Sequence, residues 1–133
     1  MDGSNALIVA PDLEVQHALA DLLASSSLVP ILASSVSEAE TVLRNSRPAV
    51  ILSSEELPDG GFCDILRLSR ADASRVPVIV FSRLADWDAY LHIVRAGAFD
   101  YVRYPPAHGE IERVVWNALS YVSRGLKSFV SAA

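Results

Sequence analysis

The sequence contains one cysteine, no long apolar stretch and no excess of basic residues. Cys63 therefore has no partner for an internal disulfide and belongs to no metal-binding or redox motif. No window approaches the ~20 consecutive apolar residues that a membrane span requires, and residues 1–5 lack the basic segment of a secretory leader. The formal net charge of −5 argues against nucleic-acid binding. We expect a cytoplasmic protein that binds neither nucleic acid nor membrane.

Hydrophobic residues make up 51% of the 133 residues, which is enough to fill one core. Many of them are concentrated in short runs without polar alternation. Such runs are typical of strands that helices cover on both faces. The runs comprise residues 6–10, 29–33, 49–53, 77–81 and 101–102.

Segments with helical spacing follow these runs. Asp12 is placed to cap the first helix, and Ser35 and Glu38 form a capping-box pattern, in which each side chain bonds the other residue's free backbone N–H. The second helix is expected to end before Pro48. Further helices are predicted at residues 62–70, 86–96 and 109–125, with Gly97 as the C′ residue of the fourth helix.

This repeated alternation of strand and helix predicts an α/β fold, with a parallel sheet between two layers of helices. We interpret residues 1–126 as one domain and residues 127–133 as a C-terminal tail. The functional crevice of such a sheet lies beyond the carboxyl ends of its strands. The residues at those ends are 10–12, 53–58, 82–83 and 103–106.

Residues 6–121 resemble the response-regulator receiver (CheY-like) family in several segments. The most specific is RAGAFDYVRYP at residues 95–105, which is similar to the family's Ala-Gly-Ala-x-Asp-Tyr segment that ends in Lys-Pro. The others are residues 7–9 (LIV), 48–52 (PAVIL), 57–61 (LPDGG) and 76–82 (VPVIVFS). The resemblance implies a flavodoxin-like three-layer sandwich, with five helices and five parallel strands in the order 2-1-3-4-5. It also implies a role in bacterial two-component signalling.

The resemblance further implies where phosphorylation chemistry would lie, and there the sequence departs from the family. The family uses an Asp that accepts a phosphoryl group, an acidic pair that holds Mg²⁺, and a Lys. Ser54 aligns with the accepting Asp, Ala10 and Pro11 with the acidic pair, and Tyr104 with the Lys. Asp12 lies one residue too late and is expected to cap the first helix instead.

These changes remove three carboxylates and one cation together, so no unpaired charge is left behind. A serine hydroxyl is a poor acceptor without a general base, and Mg²⁺ requires hard oxygen ligands. We therefore expect no phosphoryl transfer, metal, cofactor or enzymatic activity. The residues expected to line or border the crevice are Ala10, Pro11, Asp12, Ser54, Glu56, Ser82, Arg83 and Tyr104.

Two features of the crevice leave alternatives open. Glu56, with Glu55 and Asp59, belongs either to a weak cation site or substitute phosphoacceptor, or to a solvated surface loop. Arg83 either enters the crevice and hydrogen-bonds Ser54 or Glu56, or faces solvent. A small-ligand or enzyme domain on the same fold is a third possibility. Against it, the sequence shows no Gly-rich phosphate loop and no nucleophile–base pair.

The family's partner surface consists of the fourth helix, the fifth strand and the fifth helix, and this sequence places aromatic residues there. Interfaces favour Trp, Tyr and Arg, although large aromatic residues also cover the edges of cores. Trp116 lies off the apolar stripe of its helix, so at least part of it should be exposed. We predict binding of signalling proteins, an output domain or a second copy through an aromatic face that comprises Trp87, Tyr90, Tyr101 and Trp116.

Overall fold

The computed structural model describes residues 4–71, 75–84 and 86–123. Within these ranges, strands and helices alternate along the chain. The strands are β1 (Asn5–Val9), β2 (Val29–Ala33), β3 (Val50–Ser54), β4 (Glu56–Leu57), β5 (Gly60–Gly61), β6 (Val78–Ser82) and β7 (Asp100–Arg103). The α-helices are α1 (Leu13–Leu22), α2 (Val36–Asn45), α3 (Phe62–Ser69), α4 (Trp87–Arg95) and α5 (Glu110–Ser123), and a short 3₁₀ helix spans Ala24–Ser26.

Five of the described strands form one parallel sheet in the order β2-β1-β3-β6-β7. The pairing of β1 with β3 aligns Leu7 with Ile51, and the pairing of β3 with β6 aligns Leu52 with Ile79. β4 and β5 form a separate two-residue hairpin between β3 and α3. The predicted α/β fold class and strand order are therefore confirmed.

Both faces of the three central strands, β1, β3 and β6, are buried, which explains their uninterrupted apolar runs. The edge strand β2 is largely exposed, so the expectation that helices cover both of its faces is wrong. Ile8 and Leu52 belong to a core cluster that includes residues of α1 and α5. Leu7 and Ile51, their sequence neighbours, belong to a second cluster that includes residues of α2, α3 and α4. Alternate strand residues thus fill opposite cores.

The helix boundaries follow the capping residues, with one correction. Asp12 accepts a hydrogen bond from the backbone N–H of Glu14 at 2.8 Å, as expected of an N-cap. Ser35 accepts one from Glu38 at 3.1 Å, but the Glu38 carboxylate binds the N–H and hydroxyl of Ser34. The reciprocal half of the predicted capping box is therefore wrong, because the carboxylate reaches one residue further back.

The other described helix boundaries lie within one residue of the predicted ones. Gly97 follows Ala96, the C-cap of α4, and is therefore the predicted C′ residue. Its φ of 120° lies in the left-handed region that glycine adopts readily. The predicted end of the fifth helix at residue 125 and the tail at residues 127–133 lie outside the described residues. Among the described residues, no helix is long and apolar enough to cross a membrane.

Candidate functional site

A crevice of about 130 Å³ opens at the carboxyl ends of β1, β3 and β6. Seven of the eight residues that the sequence assigned to this crevice line it. Glu56 is absent from the lining, since it lies in the hairpin strand β4 opposite Gly61. The lining consists of Ala10, Pro11, Asp12, Val15, Ser54, Phe81, Ser82, Arg83 and Tyr104.

Two lining residues, Val15 and Phe81, were not singled out from the sequence. Both are buried members of the core cluster beneath the crevice. Val15 lies one turn after the cap residue Asp12, and Phe81 directly precedes Ser82. Their helical and strand spacing could have placed them, but their apolar character indicated core rather than site.

Asp12 contributes the one carboxylate of the crevice lining, and its oxygen already accepts the Glu14 N–H at the start of α1. Ala10 is buried and, like Pro11, offers no side-chain oxygen. Ser54 is the last residue of β3 and contributes a neutral hydroxyl. Within residues 4–71, 75–84 and 86–123, no group of three or more His, Cys, Asp or Glu residues is arranged to hold a metal ion.

Arg83 takes a position that neither sequence alternative described fully. Its guanidinium lies 5.1 Å from the centroid of the Tyr104 ring, and the residue is exposed. Such a cation–π contact contributes about 0.5–1 kcal/mol at an exposed site. The Tyr104 ring in turn packs at a tilt against Phe81, with 6.0 Å between the ring centroids. The cation thus lies against an aromatic wall of the crevice.

The three acidic residues of the loop after β3 are directed to different places. Asp59 accepts hydrogen bonds from the backbone N–H groups of Val36 at 2.8 Å and Ser37 at 3.0 Å. These bonds lower the pKa of the Asp59 carboxyl. Glu55 accepts a hydrogen bond from the Tyr101 hydroxyl at 3.2 Å, and Glu56 is exposed. The carboxylates therefore do not converge on one point.

Tyr101 lies beneath the surface that the sequence assigned to it. Its side chain is 7% exposed and belongs to the core cluster on the side of α2, α3 and α4. Burial raises the pKa of its hydroxyl, the charges of Glu55 and Asp86 act in the same direction, and a hydrogen bond with Ser82 opposes them. The hydroxyl therefore stays protonated and remains a donor at neutral pH.

The other members of the aromatic face are arranged in two places. Trp87 is 68% exposed and stacks on Tyr90 at 5.4 Å, with an interplanar angle of 7°. Trp116 is 69% exposed, so the exposure predicted for it is confirmed. Leu84, 85% exposed next to the start of α4, was missed because a single Leu in a polar segment gives no periodic signal.

Gln16 is a further residue that the sequence did not reveal. It is 2% exposed, and its amide donates to the carbonyl oxygens of Ala10 at 2.7 Å and Ala33 at 3.2 Å. It therefore ties together the carboxyl ends of β1 and β2 beside the crevice. Only tertiary structure identifies this contact, because Gln on an amphipathic helix is ordinarily a surface residue.

Comparisons with known proteins agree with this architecture. No protein-family model matches the chain. The response regulator protein PilR of Pseudomonas aeruginosa is 27% identical over 119 residues, which cover 90% of this chain and 27% of that protein. The chain spans less than half the length of the curated relatives it matches.

Solved structures match over nearly the whole chain. A signal receiver domain from Vibrio parahaemolyticus superposes with a TM-score of 0.84 at 16% identity, covering 92% of this chain and 94% of that one. The dimer of the beryllofluoride-activated NtrC4 receiver domain gives a TM-score of 0.79 at 19% identity, covering 87% and 96%. The chain therefore has the CheY-like fold of response-regulator receiver domains and is similar in sequence to response regulators.

Proposed function

We propose that the chain is a receiver domain of two-component signal transduction that binds partner proteins without being phosphorylated. The observation that carries this proposal is the composition of the crevice. A serine ends β3 where the family has its accepting Asp, and Ala10 and Pro11 stand where the family has its acidic pair. The alignment of these positions comes from the family resemblance, and their convergence comes from the structure.

The crevice contains few of the groups that aspartyl phosphorylation requires. Mg²⁺ binds hard oxygen ligands in near-octahedral geometry, and Asp12 is the one carboxylate of the lining. One of its two oxygens, Oδ1, accepts the backbone N–H of Glu14 at the start of α1. The lining residues include no histidine, and their single carboxylate, Asp12, caps α1 through Oδ1, so no dedicated general base accompanies Ser54. These features support a domain without phosphoryl transfer, metal or enzymatic activity.

A substitute phosphoacceptor is the strongest competing function, and the loop carboxylates give it little support. An acyl phosphate on Asp59 would displace the hydrogen bonds that hold the N-terminus of α2. One on Glu55 would displace the Tyr101 hydroxyl. Glu56 is exposed and lies outside the crevice lining. Binding of a small ligand in this crevice is also disfavoured, because 130 Å³ is below the ~300–1,000 Å³ of ordinary ligand pockets.

The exposed aromatic residues support the binding role. Trp and Tyr are enriched in interfaces, and the stacked pair of Trp87 and Tyr90 presents apolar surface on α4. Leu84, three residues before Trp87 in the sequence, is exposed as well. Trp116 adds a second exposed aromatic on α5. We propose that this surface binds a signalling protein, an output domain or a second copy. The net charge of −5 disfavours nucleic acid as the partner.

Thermal unfolding with Mg²⁺ and beryllofluoride tests the loss of the phosphorylation site. We expect no change of the midpoint for the wild-type chain, because the crevice lacks the ligands that would hold both groups. The matched control is the double variant Pro11→Asp plus Ser54→Asp, which returns two carboxylates to the crevice lining. We expect this variant to be stabilised by Mg²⁺, by an amount that follows the ligand concentration.

A beryllofluoride-dependent stabilisation of the wild-type chain would contradict the proposal. Repeating the titration with Glu55→Ala, Glu56→Ala and Asp59→Asn would then identify the substitute acceptor. Loss of the response in one variant alone would assign it to that carboxylate.

A further inference from the structure

One edge of the five-stranded sheet is formed by β2, which pairs with β1 alone among the described strands. The residues of β2 are all apolar, yet Ala33 is its one buried residue, and Val29 and Leu32 are 55% and 37% exposed. No charged residue occurs between Asp21 and Glu38. An exposed, uncharged and apolar edge strand is a template on which another chain can add a strand.

The backbone hydrogen bonds show which peptide groups of β2 point away from the sheet. The N–H of Val29 donates to the carbonyl of Ser4 at 3.0 Å. At the other end of the strand, the carbonyl of Ala33 accepts the N–H of Ala10, also at 3.0 Å. Successive peptide groups of a strand point to opposite sides, so every second residue of β2 faces β1. The positions that face outward are Pro30, Leu32 and, directly after the strand, Ser34.

The first outward position has no donor, because it is a proline. The ring of Pro30 replaces the backbone N–H that an added strand would require. Since this position faces away from β1, the proline removes no hydrogen bond from the sheet itself. Proline occurs in strands mainly at such edge positions. Its effect therefore falls on a strand that would pair with β2 from outside.

The third outward position is engaged from within the chain. The N–H of Ser34 donates to Oε1 of Glu38 at 2.7 Å, and the Ser34 hydroxyl donates to the same oxygen at 2.9 Å. These two bonds lower the pKa of the Glu38 carboxyl, so the group is ionised at neutral pH. Hydrogen bonds to an ionised acceptor are stronger than those between neutral groups. An added strand would have to displace this carboxylate.

We propose that Pro30 and the Glu38 carboxylate keep β2 from pairing with the same strand of a second copy. Of the three outward positions, Leu32 alone keeps an N–H that is open to another strand. A second copy is the partner to be excluded, because two identical apolar edges can pair about a two-fold axis. The inference does not rest on the proposed function, since β2 contributes no residue to the crevice lining.

Sedimentation velocity at equal protein concentrations tests this protection with two substitutions. Pro30→Val restores an outward N–H in a residue type that favours strands. Glu38→Ala releases the N–H of Ser34. We expect the double variant to associate about tenfold more tightly than wild type or tighter still, because a two-fold pair makes each restored hydrogen bond twice. Each single variant should lie between the double variant and wild type.

Each substitution has a matched control. Val29→Ile adds apolar surface to the same strand at a residue whose N–H already bonds the sheet. Glu40→Ala removes a carboxylate from the same helix, one that pairs with Arg44 instead of the strand. Both controls should remain within about twofold of wild type, because neither creates an outward donor. Association through any other surface is common to all of these proteins and cancels in the comparison.

Hydrogen exchange of backbone amides, measured by NMR, locates the association. In the wild-type chain, the protection factor of the Ser34 amide should exceed that of the Leu32 amide by about tenfold or more, because Glu38 binds only the former. In the double variant, the Leu32 amide should become protected, and its protection should increase with protein concentration. The second copy would then supply the acceptor that the wild-type edge lacks.

Unchanged association of the double variant, association without protection of Leu32, or an equal rise in Val29→Ile or Glu40→Ala would overturn the inference. Equal protection of Leu32 and Ser34 in the wild-type chain would also overturn it, and that measurement requires no variant to fold. Failure here is distinct from failure of the proposed function. A response to Mg²⁺ and beryllofluoride would overturn that function without altering association at β2.

Discussion

At the scale of single residues, Gln16 shows how a polar side chain stabilises the edge of the crevice. Its amide donates at 2.7 Å to the carbonyl of Ala10, the first residue beyond β1. The carbonyl of Ala33 also receives the N–H of Ala10 at 3.0 Å, so it does not depend on Gln16 alone. The Ala10 carbonyl is therefore the group that most needs the amide.

Replacing Gln16 with Leu should destabilise the fold by about 1–3 kcal/mol, because a buried carbonyl loses its partner. The free energy of unfolding in urea measures the change. His17→Ala is the control, since it alters an exposed neighbour on the same helix and should remain within about 0.5 kcal/mol of wild type. Equal stability of Gln16→Leu and wild type would show that water replaces the amide without cost.

At this scale, the sequence predicted which residues lie at the crevice but not which side chains contact one another. Parallel strands end at one edge, so strand-end residues such as Ser54 and Ser82 could be placed together from the chain alone. The contact of Arg83 with the ring of Tyr104 depends on side-chain direction, which spacing does not determine. The hydrogen bond from the Tyr101 hydroxyl to Glu55 joins residues that lie 46 positions apart, and no local pattern reveals it.

At the scale of elements, the hairpin of β4 and β5 connects the loop after β3 to α2. Asp59, at the turn of this hairpin, accepts the N–H groups of Val36 and Ser37 in the first turn of α2. Free N–H groups at a helix N-terminus attract a carboxylate. Local patterns such as a capping box could not reveal this cap, because it comes from a segment 23 residues away.

Asp59→Asn should lower stability most at neutral pH and least in acid. The backbone hydrogen bonds lower the pKa of Asp59 in the folded chain, so its contribution is present above the unfolded pKa. That contribution is lost as the pH falls through the folded pKa. Urea unfolding of both proteins between pH 7 and pH 2 measures the difference. A constant difference across this range would contradict the assigned cause.

At the scale of the whole molecule, the fold was the most predictable feature. The buried central strands β1, β3 and β6 produce uninterrupted apolar runs, and the intervening helices produce a 3.6-residue period. Strand order followed from the family resemblance, whereas the two-residue strands β4 and β5 are too short to produce a pattern. The crevice lies where the parallel sheet requires it, and its composition sets its chemistry.

The central claim is that this crevice cannot gather Mg²⁺ and therefore accepts no phosphoryl group. Intact-mass spectrometry after incubation with acetyl phosphate and Mg²⁺ tests it most directly, with a phosphorylatable receiver domain treated in parallel. We predict an unchanged mass for this chain and the addition of one phosphoryl group to the parallel domain. A phosphoryl adduct on any acidic residue of this chain would contradict the account.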